Sequence, residues 1–134
     1  MIVVDASIVA NVVADDGADG DVARGRVRAA GDLMAPDLVD VETVSVLRKR
    51  WLADDLTEGR FRTAVDDLGS LPIVRYPTRG LMHRAFELRA NVTPYDAVYV
   101  ALAEGLSCPL LTADARLATA PGPACEIQVL AAAP

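Results

Sequence analysis

Met1-Ile2-Val3-Val4-Asp5-Ala6-Ser7 opens the chain and reads as a strand that ends in an acid before a helix begins. Four apolar residues in a row suit a strand buried on both faces, the habit of parallel sheets. Ala6 to Ala14 then reads as a helix, so Asp5 marks a strand-to-helix turn. The pattern returns at Pro109-Leu110-Leu111-Thr112, which leads to Asp114 and a short helical stretch from Ala115 to Ala120. In open parallel sheets, ligands gather beyond the carboxyl ends of strands where the strand order reverses. Two acids at strand ends meet there if their strands are neighbours, an adjacency that the residues alone leave open.

Between these motifs, Asp19 to Ala30 reads as a helix, and Leu33-Met34-Ala35 as a short strand stopped by Pro36. Asp37 is placed to cap a helix that runs to Leu52. Leu38, Val41, Val44, Leu47 and Trp51 recur along it at roughly helical spacing and leave Glu42 beside the stripe. Thr57 to Leu68 is an amphipathic helix with Phe61, Ala64, Val65 and Leu68 on one side, and Pro72 to Tyr76 is a third strand. Thr78 to Ala90 and Thr93 to Leu106 are further helices, and Glu126 to Leu130 is a last strand beyond Pro121-Gly122-Pro123. Strands separated by helices imply an α/β domain, a parallel sheet with helical cover. One domain over residues 1–130 accounts for the chain, with 131–134 as a short tail.

Asp96 is the sharpest acid, because it is the only formal charge between Arg89 and Glu104 and precedes the apolar run from Ala97 to Ala103. A charge on such a helix is costly unless it is paired or coordinates a metal. Each acid also has an ordinary reading. Asp5 and Asp114 suit helix caps, Thr93 to Asp96 suits a capping box, and Glu42 suits a helix surface. Capping does not explain why acids recur at two strand ends and on the most apolar helix. Carboxylates forced together raise one another's pKa unless a cation compensates, so a shared site implies a metal. Oxygen-only donors favour Mg²⁺, with Mn²⁺ as a substitute. Ser7 and Thr112 each lie two residues from an acid and fit either turn hydrogen bonding or support of that site.

The chain has 134 residues and a formal net charge of −6, so a generally basic nucleic-acid footprint is absent. Bound divalent cations would make an acidic cleft less repulsive to phosphate, so the charge does not exclude a nuclease. The 13 basic residues are all arginine except Lys49. They cluster at Arg24, Arg26 and Arg28, at Arg48 to Arg50, and between Arg75 and Arg89, where they serve as a solvated face or hold RNA phosphate. No leader and no membrane-length apolar run is seen, and the expectation is a cytoplasmic protein with Cys108 and Cys125 reduced. The single histidine, His83, has no motif around it and reads as a surface residue.

Taken together, Ile2-Val3-Val4-Asp5-Ala6-Ser7, the helix Val39 to Val44 around Glu42, Thr93-Pro94-Tyr95-Asp96-Ala97-Val98-Tyr99, and Leu110-Leu111-Thr112-Ala113-Asp114 resemble the PIN-domain ribonucleases. Within them, the likeness is to the VapC-like toxins of bacterial toxin-antitoxin pairs. The resemblance implies a three-layer sandwich with a five-stranded parallel sheet in the order 3-2-1-4-5, which sets the first and fourth strands side by side. It maps an acidic site onto Asp5, Glu42, Asp96 and Asp114, with Ser7 and Thr112 as supporting hydroxyls. Asp5 and Asp96 are the expected direct ligands, while Glu42 and Asp114 serve a second ion or act through water. Some members carry a further acid shortly after the fourth, where this chain has Arg116, Leu117 and Ala118, so a second ion is expected to be held weakly.

The implied activity is Mg²⁺-dependent endoribonuclease cleavage of RNA that leaves a 5′-phosphate and a 3′-hydroxyl. A VapB-like antitoxin is the implied partner, laid along a groove of Ile8, Val9, Val12 and Val13 with Val41 and Val44. A homodimer is expected from Trp51, Leu52 and Phe61 beside charged residues. Two rivals stay open. A phosphatase using an aspartyl-phosphate wants an acid where Ser7 stands and a positioned lysine, whereas the only lysine lies in the basic run beside Trp51. A non-catalytic binding module would treat the acids as caps and gain no stability from Mg²⁺.

Overall fold

Strand β1 (Ile2–Val4) runs through the centre of the molecule with all three residues shielded from solvent. In this computed structural model, which describes residues 1–134, β2 (Leu33–Pro36) pairs with β1 on one side and β4 (Leu110–Thr112) on the other. β3 (Ile73–Tyr76) and β5 (Ile127–Val129) complete a five-stranded parallel sheet in the order β3-β2-β1-β4-β5. Val3 stands opposite both Met34 and Leu110, so the first and fourth strands are neighbours.

Helices α1 (Ala6–Ala14), α2 (Ala18–Ala30), α3 (Leu38–Leu52) and α4 (Glu58–Ser70) belong to the half of the chain that steps outward from β1 to β3. The chain then turns back through α5 (Met82–Glu87) and α6 (Pro94–Leu106) to β4, and through α7 (Ala115–Thr119) to β5. Parallel crossovers are right-handed, so reversing direction puts the helices of the two halves on opposite faces. α1 packs on α2, α3 and α4, whereas α6 packs on α5 and lies over β1, β2 and β4. Residues 97 to 103 of α6 are all buried, which is why that helix is apolar on every side.

Several local expectations change. Pro36 is the last residue of β2 and stands opposite Tyr76, rather than ending the strand before it. Asp37 makes no capping bond to α3; its carboxylate accepts from the Thr78 amide at 3.0 Å and from the Thr78 hydroxyl. The Thr78 hydroxyl in turn accepts from Leu38 N at 3.2 Å, so the cap of α3 comes from forty residues away. The buried line of α3 is Val39, Thr43 and Leu47, while Val41 is 70% exposed. That rotation leaves Glu42 on the flank facing α6. The stretch from Thr78 to Ala90 is a 3₁₀ turn (Thr78–Leu81) followed by the short α5, not one helix.

The groove expected for a partner changes most. Ile8, Val9 and Val13 are core residues, so of that set only Val12, Val41 and Val44 lie outside the buried core. Trp51 and Leu52 are exposed and Phe61 is half-buried, with the two aromatic rings 6.5 Å apart. Cys108 and Cys125 are both free thiols. No helix is long and apolar enough to cross a membrane.

Candidate active site

Asp5 leaves β1 and caps α1, where its Oδ1 accepts from the amides of Ser7 at 3.1 Å and Ile8 at 3.3 Å and from the Ser7 hydroxyl. Ser7 Oγ accepts in turn from Ala113 N at 3.1 Å, which ties the end of β1 to the loop after β4. Asp5 is only 7% exposed. Burial pushes its carboxyl up, and the nearby Asp96 charge adds to that, while hydrogen bonds from Ser7, Thr112 and Ile8 oppose it.

Asp114 repeats the local arrangement with a different outcome. It caps α7, accepting from Arg116 N at 3.0 Å, and its own amide donates to the buried Thr112 hydroxyl at 3.0 Å. The Arg116 guanidinium then folds back onto it, and this pairing holds the Asp114 carboxyl below the usual range.

Asp96 occupies the first turn of α6, behind an N-cap in which Thr93 Oγ1 accepts from Asp96 N at 3.3 Å. It forms no ion pair. Burial raises its pKa most, and the Asp114 charge raises it further. Glu42 approaches from α3, and its Oε1 accepts from the Tyr99 hydroxyl at 2.6 Å. Its pKa is raised by burial and by Asp96 and Asp5, against the Tyr99 hydrogen bond.

All four acids line one cavity of about 440 Å³, together with Ser7, Tyr95, Tyr99 and Lys49. It lies beyond the carboxyl ends of β1 and β4, where strand order reverses. Capping and a shared site are therefore not alternatives, because Asp5 and Asp114 cap helices whose first turns face this cavity. No three of the carboxylates converge to enclose an ion in this geometry. Three of the four are instead drawn to different neighbours, Asp5 to Ser7, Glu42 to Tyr99 and Asp114 to Arg116. The donor set still fits a hard divalent cation, being all oxygen, and a cation would offset both the burial and the smaller mutual repulsion that raise three of the four pKa values. A larger cavity of about 790 Å³ lies between α1 and α4, where Arg60 pairs with Asp16 at 2.8 Å and Arg50 donates to Asn11 Oδ1 at 2.6 Å.

Tyr99 is the functional residue that the sequence reading passed over. It is 2% exposed, its hydroxyl is kept protonated by burial and the Glu42 charge, and it is the only polar side chain in the run after Asp96. A hydroxyl three residues beyond an acid shares its helix face, which is the signal that marks it. Lys49 also lines the cavity rather than lying apart from it. Two of the arginines are structural: Arg75 grips Asp40 and the carbonyls of Leu68 and Ile73, and Arg24 grips Asp21 and the carbonyls of Val12 and Asp15. Of the basic clusters, the one around Lys49 is left closest to the acids. His83 is exposed and does not line the cavity.

Comparison with known proteins agrees with this geometry. The PIN domain family model matches residues 2–123. Ribonuclease VapC1 of Mycobacterium tuberculosis is 45% identical over 129 residues, 96% of each chain. VapC ribonuclease Mb0985 of Mycobacterium bovis is 44% identical over 130 residues, 97% of this chain and 98% of that one. Among solved structures, VapBC2 from Rickettsia felis, bound to a DNA fragment from its promoter, superposes with a TM-score of 0.69 over 96% of this chain and 98% of that chain, at 13% identity. Mycobacterium tuberculosis VapC20, a sarcin-ricin loop cleaving toxin, gives 0.63 over 82% and 87% at 18% identity. At such identities the structural likeness speaks for the fold, and the close sequence relatives speak for the family. The chain belongs to the PIN-domain family and, within it, to the VapC-type ribonucleases.

Proposed function

We propose that this VapC-type endoribonuclease hydrolyses RNA phosphodiester bonds with a hard divalent cation, Mg²⁺ or Mn²⁺ in its place, held by Asp5 and Asp96. Glu42 and Asp114 complete the site through water or a second ion. The observation that carries the reading is the gathering of four carboxylates from three helix starts and α3 on one cavity at the sheet's reversal point. When bound, such an ion offsets charge that builds on the phosphoryl oxygens and makes a neighbouring water more acidic.

The chain's own residues do the positioning. Ser7 and Thr112 orient Asp5 and Asp114, and Tyr99 holds one oxygen of Glu42 and leaves Oε2 without a protein donor. Attack by water predicts 5′-phosphate and 3′-hydroxyl ends. The rival phosphatase regains its lysine in Lys49, but the position of its second acid is Ser7, which is already engaged between Asp5 and Ala113. A VapB-like antitoxin is the proposed partner, and the exposed Trp51 and Leu52 with half-buried Phe61 are the proposed homodimer face.

The test is cleavage of a single-stranded RNA with and without a chelator, repeated with Asp96→Asn. Mg²⁺-dependent cleavage that disappears in the variant is expected. Cleavage that persists under chelation, or full activity of Asp96→Asn, refutes the reading.

A further inference from the structure

Asp114 is the one acid of the site that already has a cation. Arg116 Nε lies 3.1 Å from Oδ1 and Nη2 lies 3.0 Å from Oδ2, so the planar guanidinium takes both carboxylate oxygens at once. The arginine side chain is 91% exposed and that of Asp114 is 36% exposed. The same guanidinium is within electrostatic reach of Asp96.

These facts conflict with a metal role for Asp114 as the side chains stand. A cation that takes an Asp114 oxygen must break the fork, which occupies both carboxylate oxygens. Exposed ion pairs are weak, so the fork is easily exchanged. Once released, Arg116 stands beside the cavity with a free planar fork of the kind that matches a phosphodiester. Lys49, which lines the cavity from α3 and forms no ion pair, offers a second positive charge.

We propose that Arg116 is an exchangeable counter-ion: it holds Asp114 until a divalent cation replaces it, and it then binds a phosphate of the RNA backbone. The proposal rests on the carboxylate-cation site described under Proposed function. It makes Arg116 both a brake on metal binding and a substrate-binding residue, which a purely structural surface pair is not.

Two readouts separate these roles. Mn²⁺ titration without RNA, followed by calorimetry, measures the brake in wild type, Arg116→Ala and Arg116→Lys. Removal of the competing pair is expected to tighten Mn²⁺ binding about two- to five-fold in Arg116→Ala. With a short single-stranded RNA, KM is expected to rise about ten-fold, more than kcat falls, because a charge-assisted phosphate contact is lost. Arg116→Lys is expected to recover part of the KM, since it restores the charge without the fork. Unchanged or weaker Mn²⁺ binding in Arg116→Ala overturns the brake, and an unchanged KM overturns the phosphate contact. If wild type itself neither binds Mn²⁺ nor cleaves, the carboxylate-cation reading fails and this proposal falls with it. If wild type does both and the variants match it, only this proposal fails.

Discussion

The two ends of α6 treat acid in opposite ways. At its start, Asp96 has no ion pair, and Tyr99 one turn on meets a second carboxylate, Glu42, with a neutral hydroxyl. At its end, Glu104 is held by Arg84 through Nε at 2.8 Å and Nη2 at 3.0 Å and by Ala124 N at 2.7 Å. Arg84 also donates to the Gly122 carbonyl, where a φ of +111° suits glycine, so this pair pins the loop before β5. Burial raises Asp96 and Glu42, whereas Arg84 lowers Glu104. A helix that neutralises its acid at one end and leaves acids uncompensated at the other has its structural and functional charges separated along its length.

The largest test of that contrast is activity. Asp96→Asn is expected to lose at least about a hundred-fold in cleavage rate, on the scale of losing one dominant electrostatic group, while Glu104→Gln retains cleavage. Steady-state kinetics on one RNA decides it, and similar losses in both variants break the comparison. Without metal, Asp96→Asn is expected to melt no lower than wild type at neutral pH, because burial and repulsion of its charge are relieved. A large drop in melting temperature would instead make Asp96 structural.

Next in size is Tyr99→Phe, which keeps the buried ring and removes only the hydroxyl. About ten-fold weaker activity is expected, the lower end for loss of a group that orients a metal-site ligand. The buried apolar contacts remain. Activity equal to wild type would show that Glu42 needs no support from α6.

At the other end, Glu104→Gln is expected to destabilise the fold by about 1–3 kcal/mol at neutral pH, the cost of an unmatched charged hydrogen-bond partner. The sign with pH follows from the lowered carboxyl. Its stabilisation is complete above the ordinary glutamate pKa of about 4.3 and is lost as pH falls through the lower folded value. Chemical denaturation at neutral and acid pH should therefore show the difference between wild type and variant shrinking in acid. A difference that stays constant would mean that the ionised Glu104 carboxylate adds nothing to its contact with Arg84.

The smallest expected effect lies away from α6. Leu52→Glu should change monomer stability by no more than about 0.5 kcal/mol, as an exposed substitution, yet reduce self-association in light scattering. Wild type that is monomeric at tens of micromolar, a concentration of about the micromolar scale or above, would remove the proposed dimer face.

Much of this was legible in the chain. The apolar runs at Ile2 to Val4 and at Leu110 to Leu111, each followed by an acid and a helix, are local patterns, and local patterns report strands, turns and caps directly. Asp96 stood out because a charge on an apolar helix is a local anomaly. The buried line of α3 was misread, since five apolar residues fit a helical stripe about equally well on either of two neighbouring faces. Packing against α1 and β2 selected the face with Val39, Thr43 and Leu47. The expected partner groove failed for the same reason, because Ile8, Val9 and Val13 were claimed by the core.

By itself, then, the order of residues determined the alternation of strands and helices, the acids at strand ends, and their approximate company. Hydrophobic period and capping chemistry act over a few residues and need no fold to be read. Tertiary structure alone decided that Tyr99 meets Glu42 across fifty-seven positions, that Thr78 caps α3, that Lys49 reaches the cavity, and that burial raises the Asp5 carboxyl. These depend on burial and on which distant charge arrives within a few ångströms, quantities set by three-dimensional packing and not by neighbours in the chain.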